Sequence, residues 1–173
     1  MNLIPGPHLA LVGLMGVGKT VVGTAVADKL GRRHADLDAL VANRVGRSVG
    51  VIFAENGEGV FRDLEEGALS SVLRGDGPLV LSTGGGVVER RSNRSLLNKR
   101  AFVVWLKAKP EILLTRIGDV AGRPLLNVDN PDEALGDLDR RRRTLYEEVS
   151  DLAIDTDALD VDAVADMVEK AVR

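Results

Sequence analysis

The chain has 173 residues, 45% hydrophobic and 28% charged, with a net charge of −3, the profile of one globular domain able to bury a core. No apolar run approaches the roughly 20 residues of a membrane span, and zero cysteines exclude disulfides, thiol catalysis and cysteine-ligated metals. The acidic balance argues against a dedicated nucleic-acid binder, and Met1 to His8 lacks the basic-then-apolar pattern of a secretory signal. A cytoplasmic monomer is therefore the expectation.

Leu9-Ala10-Leu11-Val12 reads as a short buried strand, and Lys19-Thr20 open a helical pattern with Val22, Ala25, Val26 and Leu30. Between them, Gly13, Gly16, Val17 and Gly18 form a glycine-rich turn whose spacing into Lys19-Thr20 matches a phosphate-binding P-loop. Glycines let the backbone curl so that N–H groups point at a phosphate, and the helix N-terminus adds its positive dipole. Lys19 can bridge the terminal phosphates, and the Thr20 hydroxyl can hold a magnesium ion. A plain strand-to-helix turn is the dull alternative. A dinucleotide-binding turn has its glycines in a different order.

Gly31 caps the first helix, and Arg33-His34-Ala35-Asp36 reads as a second strand. Asp36 and Asp38 precede a helical pattern through Val45. In an extended segment their side chains point the same way. One can order a magnesium water and the other accept from a substrate hydroxyl; helix capping is the competing role. Ser48 caps a short helix through Asn56, and a longer one follows from Gly57 to Arg74. On it Arg62 has Glu65 and Glu66 at i+3 and i+4, which by spacing alone describes a surface ion pair.

Pro78 to Ser82 is a buried strand leading into Thr83-Gly84-Gly85-Gly86. Three glycines in a row suggest a wall that a ligand approaches closely, where a flexible turn needs fewer. A polar helix around Arg91–Lys99, a strand over Ala101–Leu106 and a helix opening at Pro110 follow. Residues 118–130 show little periodicity and read as a mobile loop, with Arg116 and Arg123 flanking or within it. Those arginines either close over ATP or merely solubilise the loop.

The next helix runs from Pro131 to about Val149. Its apolar stripe of Leu135, Leu138, Leu145 and Val149 takes in Arg142, whereas Arg140, Arg141 and Arg143 fall on the wet side. A charge on that stripe must be paired or reach into a cavity, which makes Arg142 a candidate anion ligand. Leu152–Asp155 is a last strand and Asp160 caps a final amphipathic helix. Alternating strands and helices predict an α/β three-layer sandwich with a parallel sheet, ligands gathering at the carboxyl ends of its strands.

Together these stretches resemble the shikimate kinases over nearly the whole chain. The matching segments are residues 13–20, Asp-Leu-Asp at 36–38, Gly-Arg-Ser-Val at 46–49, residues 52–58 and Phe-Arg-Asp-Leu-Glu at 61–65. Ser-Thr-Gly-Gly-Gly at 82–86, Arg-Pro-Leu-Leu at 123–126 and residues 142–149 complete the set. The resemblance implies a P-loop kinase domain with a five-stranded parallel sheet in the order 2-3-1-4-5, a substrate-binding helical region at about 37–65 and a lid at about 118–130. It implies transfer of the ATP γ-phosphate to the 3-hydroxyl of shikimate.

By motif match, the resemblance further implies that Asp38 binds the acceptor hydroxyls and assists deprotonation. Arg62, Arg142 and the backbone of Gly84, Gly85 and Gly86 would hold shikimate, with Glu65 orienting Arg62. Thr20 would ligate Mg2+, Asp36 reaching it through water, while Arg123 meets the phosphates and Arg116 lies against the adenine. This reverses the surface reading of Arg62. Family members more often carry Ser-Thr after the lysine, where this chain has Thr20-Val21. A P-loop kinase for another small hydroxy acid, such as gluconate, is the alternative, because paired arginines suit any small carboxylate.

Overall fold

In the computed structural model, which describes residues 7–120 and 122–173, five parallel strands form one sheet. They are β1 (His8–Val12), β2 (Arg33–Asp36), β3 (Leu79–Ser82), β4 (Ala101–Lys107) and β5 (Leu152–Asp155). Their order is β2-β3-β1-β4-β5, all neighbours parallel, as expected from the resemblance. The central strand explains the arrangement: Leu9, Ala10, Leu11 and Val12 are completely buried, covered on both faces. Each large side chain of this kind contributes about 1.5–3 kcal/mol of burial.

The helices are α1 (Lys19–Leu30), α2 (Leu37–Val45), α3 (Val49–Leu73), α4 (Arg91–Arg100), α5 (Pro110–Ile117), α6 (Pro131–Val149) and α7 (Val161–Val172). Their ends follow the sequence signals. Asp36, Ser48, Asn130 and Asp160 each accept a backbone N–H at a helix start, and Gly31 and Gly46 close α1 and α2 in the left-handed region. No described helix is long and apolar enough to cross a membrane.

The helices expected at 48–56 and 57–74 run together as α3, with a non-helical kink between them at Gly57, φ 81°, ψ 170°. That backbone conformation suits glycine alone. Asp36 and Asp38 do not share an extended segment: Asp36 ends β2 and Asp38 already lies in the first turn of α2. On α1 the buried face is Lys19, Val22, Gly23, Val26 and Ala27, whereas Ala25 and Leu30 are only half-buried. On α6 Tyr146 is fully buried and Leu145 half-exposed, because Tyr146 stacks on Trp105 of β4 with ring centroids 5.6 Å apart.

Candidate active site

The loop after β1 needs its glycines. Gly13, Gly16 and Gly18 have φ of 143°, 81° and 97°, and a Cβ on Gly13 would stand 2.4 Å from the Leu106 carbonyl oxygen. Such angles are strained for any side chain. Val17 is buried beneath the loop. Lys19 is buried too, its Nζ donating to the carbonyl oxygens of Gly13 at 2.7 Å and Leu14 at 2.9 Å. Burial lowers its pKa to about 8; Arg123 and Arg142 push the same way, opposed by Asp38 and Asp36.

Thr20 follows on the rim, its hydroxyl donating to Asp36 Oδ2 at 2.7 Å. Asp36 also caps α2 through Oδ1 and the Ala39 N–H at 3.1 Å. Of the two roles weighed for this aspartate, the helix cap is made by Oδ1, while Oδ2 accepts from Thr20. A cavity of about 340 Å³ opens here, lined by Lys19, Thr20, Asp36, Asp38, Arg116 and Arg123 among others. A further hollow of about 370 Å³ runs from Gly16 and Val21 to Leu159, Val161 and Val164. Arg116 spans the two, bonded to Thr156 Oγ1 at 3.0 Å and its carbonyl oxygen at 2.8 Å.

On the far side of Asp38 and the triple glycine lies a third cavity, of about 160 Å³. Arg62, Glu65 and Arg142 line it with Asp38, Gly84, Gly85, Gly86 and Arg123. Arg62 is 7% exposed, which overturns the surface ion pair that spacing alone suggested. Its Nη1 donates to Glu65 Oε2 at 2.9 Å and its Nη2 to Glu58 Oε1 at 3.0 Å. Glu66, the other expected partner, pairs with Arg90 instead. Arg142 is fully buried, as the stripe on α6 required, while Arg140, Arg141 and Arg143 are exposed and paired with acids.

The glycines are there for closeness. A Cβ on Gly84 would lie 2.8 Å from both Asp38 Oδ1 and Glu65 Oε1, and one on Gly86 only 2.1 Å from Arg62 Nη2. Asp38 Oδ1, Glu65 Oε1 and Arg142 Nη2 are buried and have no hydrogen-bond partner among the described residues. Buried polar groups are rarely left so. Two acceptors and one guanidinium donor are thus left unpaired by the described residues around this cavity. Burial raises the pKa of Asp38, helped by Asp36 and resisted by Lys19, Arg62 and Arg123. Burial likewise raises Glu65, against the pull of Arg62.

Sequence reasoning missed several parts. Val49, Phe53, Phe61, Met15 and Leu125 build the apolar wall of the small cavity. Helical spacing with Leu64, Ala68, Leu69 and Val72 places Phe61 on an apolar helix face and says nothing of a cavity. The Tyr146 hydroxyl donates to the Gly85 carbonyl oxygen at 2.5 Å and holds the glycine wall. Glu89, on a 3₁₀ turn over Val87–Glu89, accepts from Arg142 Nε at 2.7 Å. Nothing in the local sequence announces that contact across 53 positions.

A glycine loop with a buried lysine, a hydroxyl–carboxylate pair beside it and a small arginine-lined cavity opposite define a P-loop kinase of small molecules. The comparisons narrow this. The family model for shikimate kinase matches residues 15–173. Shikimate kinase of Stenotrophomonas maltophilia strain K279a is 41% identical over 167 residues, 96% of this chain and 92% of that protein. The Symbiobacterium thermophilum shikimate kinase is 42% identical, covering 94% of this chain and 95% of its own. Among solved structures, shikimate kinase from Acinetobacter baumannii in complex with shikimate superposes with a TM-score of 0.92 at 36% identity, covering 96% of this chain and 92% of that one. A gluconokinase from Sinorhizobium meliloti shares the fold at TM-score 0.59 and 19% identity. The chain belongs to the shikimate kinase family.

Proposed function

We propose that this enzyme transfers the γ-phosphoryl group of ATP to the 3-hydroxyl of shikimate, giving shikimate 3-phosphate and ADP. The observation that carries it is the pairing of two cavities across Asp38 and Gly84–Gly85: both sets of lining residues include these three. The larger one holds the P-loop lysine and belongs to the donor. The smaller is sized for a compact acid and carries two guanidinium groups for its carboxylate.

Phosphoryl transfer asks for positioning and charge neutralisation more than covalent chemistry. Gly13, Gly16, Val17 and Gly18 cradle the phosphates with backbone N–H groups. Lys19 leaves the Gly13 and Leu14 carbonyls to bridge the β- and γ-phosphates. Arg123, on the wall of both cavities, reaches the transferred group, and Arg116 lies against the base. Arg62 and Arg142 grip the carboxylate, Glu65 orients Arg62, and the backbone of Gly84, Gly85 and Gly86 closes the wall. Asp38 Oδ1 accepts the hydrogen of the attacking hydroxyl. Its raised pKa makes it a better base than an ordinary carboxylate, while Lys19, Arg62 and Arg123 favour its anion.

The residues present suit magnesium. Thr20 and Asp36 stand side by side, and no group of three or more His, Asp or Glu among the described residues could form a complete cage. Mg2+ commonly takes one or two protein ligands and completes its shell with phosphates and water. Thr20 would hold it directly and Asp36 through water; when bound it neutralises phosphate charge.

We also read the chain as one kinase domain with an acceptor-binding helical region at about 37–65 and a lid at about 118–130. Ala121 of that lid lies outside the described residues. Within the lid Leu126 is fully buried, its N–H donating to the Arg123 carbonyl oxygen of the same segment at 2.9 Å. Its partners are ATP and shikimate, acted on as a cytoplasmic monomer, with no nucleic acid or membrane. ADP release measured with shikimate, with gluconate and with no acceptor tests the reading: turnover with shikimate alone is expected, and equal or greater turnover with gluconate would overturn it.

A further inference from the structure

The best-supported unassigned group is the carboxylate of Glu89. Glu89 ends the 3₁₀ turn Val87–Glu89 that directly follows the triple glycine, and its own N–H is bonded to the Gly86 carbonyl oxygen at 3.0 Å. The turn is fastened from α4. Asn93 Nδ2 donates to the Val87 carbonyl oxygen at 3.0 Å, and Arg94 Nη1 donates to those of Val88 at 2.9 Å and Glu89 at 3.2 Å. The carboxylate therefore stands on a rigid platform continuous with the glycine wall of the acceptor cavity.

From that platform Glu89 Oε1 accepts from Arg142 Nε at 2.7 Å, while Arg142 Nη2 stays buried and unpartnered. A guanidinium is planar, so fixing Nε fixes the direction of both terminal nitrogens. Nη1 faces Gly85, 3.2 Å from where a Cβ would stand. The Arg142 charge and hydrogen bond, with Arg62 and Arg141, bring Glu89 below the usual carboxylate range in spite of its burial.

We propose that Glu89 is a positioning residue for the acceptor: it holds Arg142 by Nε so that the terminal nitrogens are aimed at the substrate carboxylate. The cavity then contains two arginine–glutamate pairs, Arg62–Glu65 from α3 and Arg142–Glu89 from α6 and the turn. Its grip on an anion depends on aimed hydrogen bonds, since each arginine's charge is matched by a neighbouring carboxylate. A purely electrostatic view predicts the reverse, because Glu89 would repel the incoming carboxylate.

The inference rests on the shikimate-phosphorylating reading, so its test has an arm that needs no turnover. Glu89→Ala is expected to raise KM for shikimate on the order of tenfold, the usual worth of one charge-assisted hydrogen bond, leaving KM for ATP within twofold. Glu89→Gln keeps an acceptor oxygen and is expected to recover most of that loss. Arg141→Ala removes only the exposed bridge to Glu89 and is expected to leave KM unchanged. In the free protein, the Arg142 Nε–H resonance is expected to be slow to exchange, and to exchange faster in Glu89→Ala at unchanged thermal stability. An unchanged or lowered KM in Glu89→Ala, or equal Nε–H exchange in both proteins, overturns the assignment. Absence of shikimate turnover in the unmodified enzyme counts against the proposed function, leaving the exchange experiment to judge Glu89.

Discussion

The hydroxyl of Ser82 donates to the carbonyl oxygen of Lys19 at 2.7 Å, tying the end of β3 to the first turn of α1 directly beneath the phosphate loop. His34 Nε2 lies 2.9 Å from the same hydroxyl, so β2 is drawn into the tie. The donor loop and the strand that leads into the acceptor's glycine wall are therefore one mechanical unit.

That unit leaves no space above it. A Cβ on Gly23 would lie 2.4 Å from Ser82 Oγ and 2.8 Å from His34 Nε2. Alanine is the better helix former by about 1 kcal/mol, but overpacking costs typically about 1–3 kcal/mol. The clash is expected to win, so Gly23→Ala lowers unfolding free energy in urea and reduces kcat by disturbing Lys19. A stabilised, fully active variant would show that the tie yields easily.

Lys19 carries a pH signature. Its folded pKa is lowered from 10.5 to about 8, chiefly by burial. Between pH 8 and 10.5 the unfolded chain holds a proton there that the folded one has released, so this group makes stability rise with pH across that window. In Lys19→Met the contribution is expected to vanish, and phosphoryl transfer with it, while the circular dichroism spectrum stays native. Retained turnover would remove the lysine from the mechanism.

Gly86→Ala isolates the acceptor grip. The backbone there has φ −91°, which alanine accepts, but its Cβ would stand 2.1 Å from Arg62 Nη2 and 2.6 Å from Nη1. The guanidinium must swing away. Losing a charge-assisted contact worth about 1.5–3 kcal/mol raises KM for shikimate roughly tenfold or more, with KM for ATP unchanged. Initial-rate kinetics with each substrate varied in turn decide it; a parallel rise in both constants points to general damage instead.

The lid should respond to both ligands together. Arg123 borders the donor and acceptor cavities alike. Amide exchange across residues 118–130 is expected to slow when an ATP analogue and shikimate are bound together, more than with either alone. Unchanged exchange in the ternary complex would deny the segment any closing role.

Much of this molecule was legible locally. The P-loop announces itself because a backbone that curls around phosphate admits few residue types at Gly13, Gly16 and Gly18. The caps at Asp36, Ser48 and Asp160 are equally local, a side-chain oxygen meeting an N–H three residues on. Arg142 was legible by contradiction, since a charge on an apolar stripe requires a partner or a cavity. Arg62 was not: an arginine with acids at i+3 and i+4 looks the same on a wet face and on a buried one, and only the family resemblance corrected it.

The sequence by itself determined the elements and their types, the parallel-sheet class and the phosphate-binding end, because periodicity, capping and glycine spacing are properties of neighbouring residues. It marked Arg142 as buried and its three arginine neighbours as exposed for the same reason. Tertiary structure alone decided which acids hold which arginines. Glu89 reaches Arg142 across 53 positions, and Tyr146 reaches Gly85 across 61. Such pairings depend on where β3 and α6 come to rest against each other. The same packing buries Asp38 Oδ1, Glu65 Oε1 and Arg142 Nη2 without a partner among the described residues, a costly arrangement that no local stretch of sequence announces.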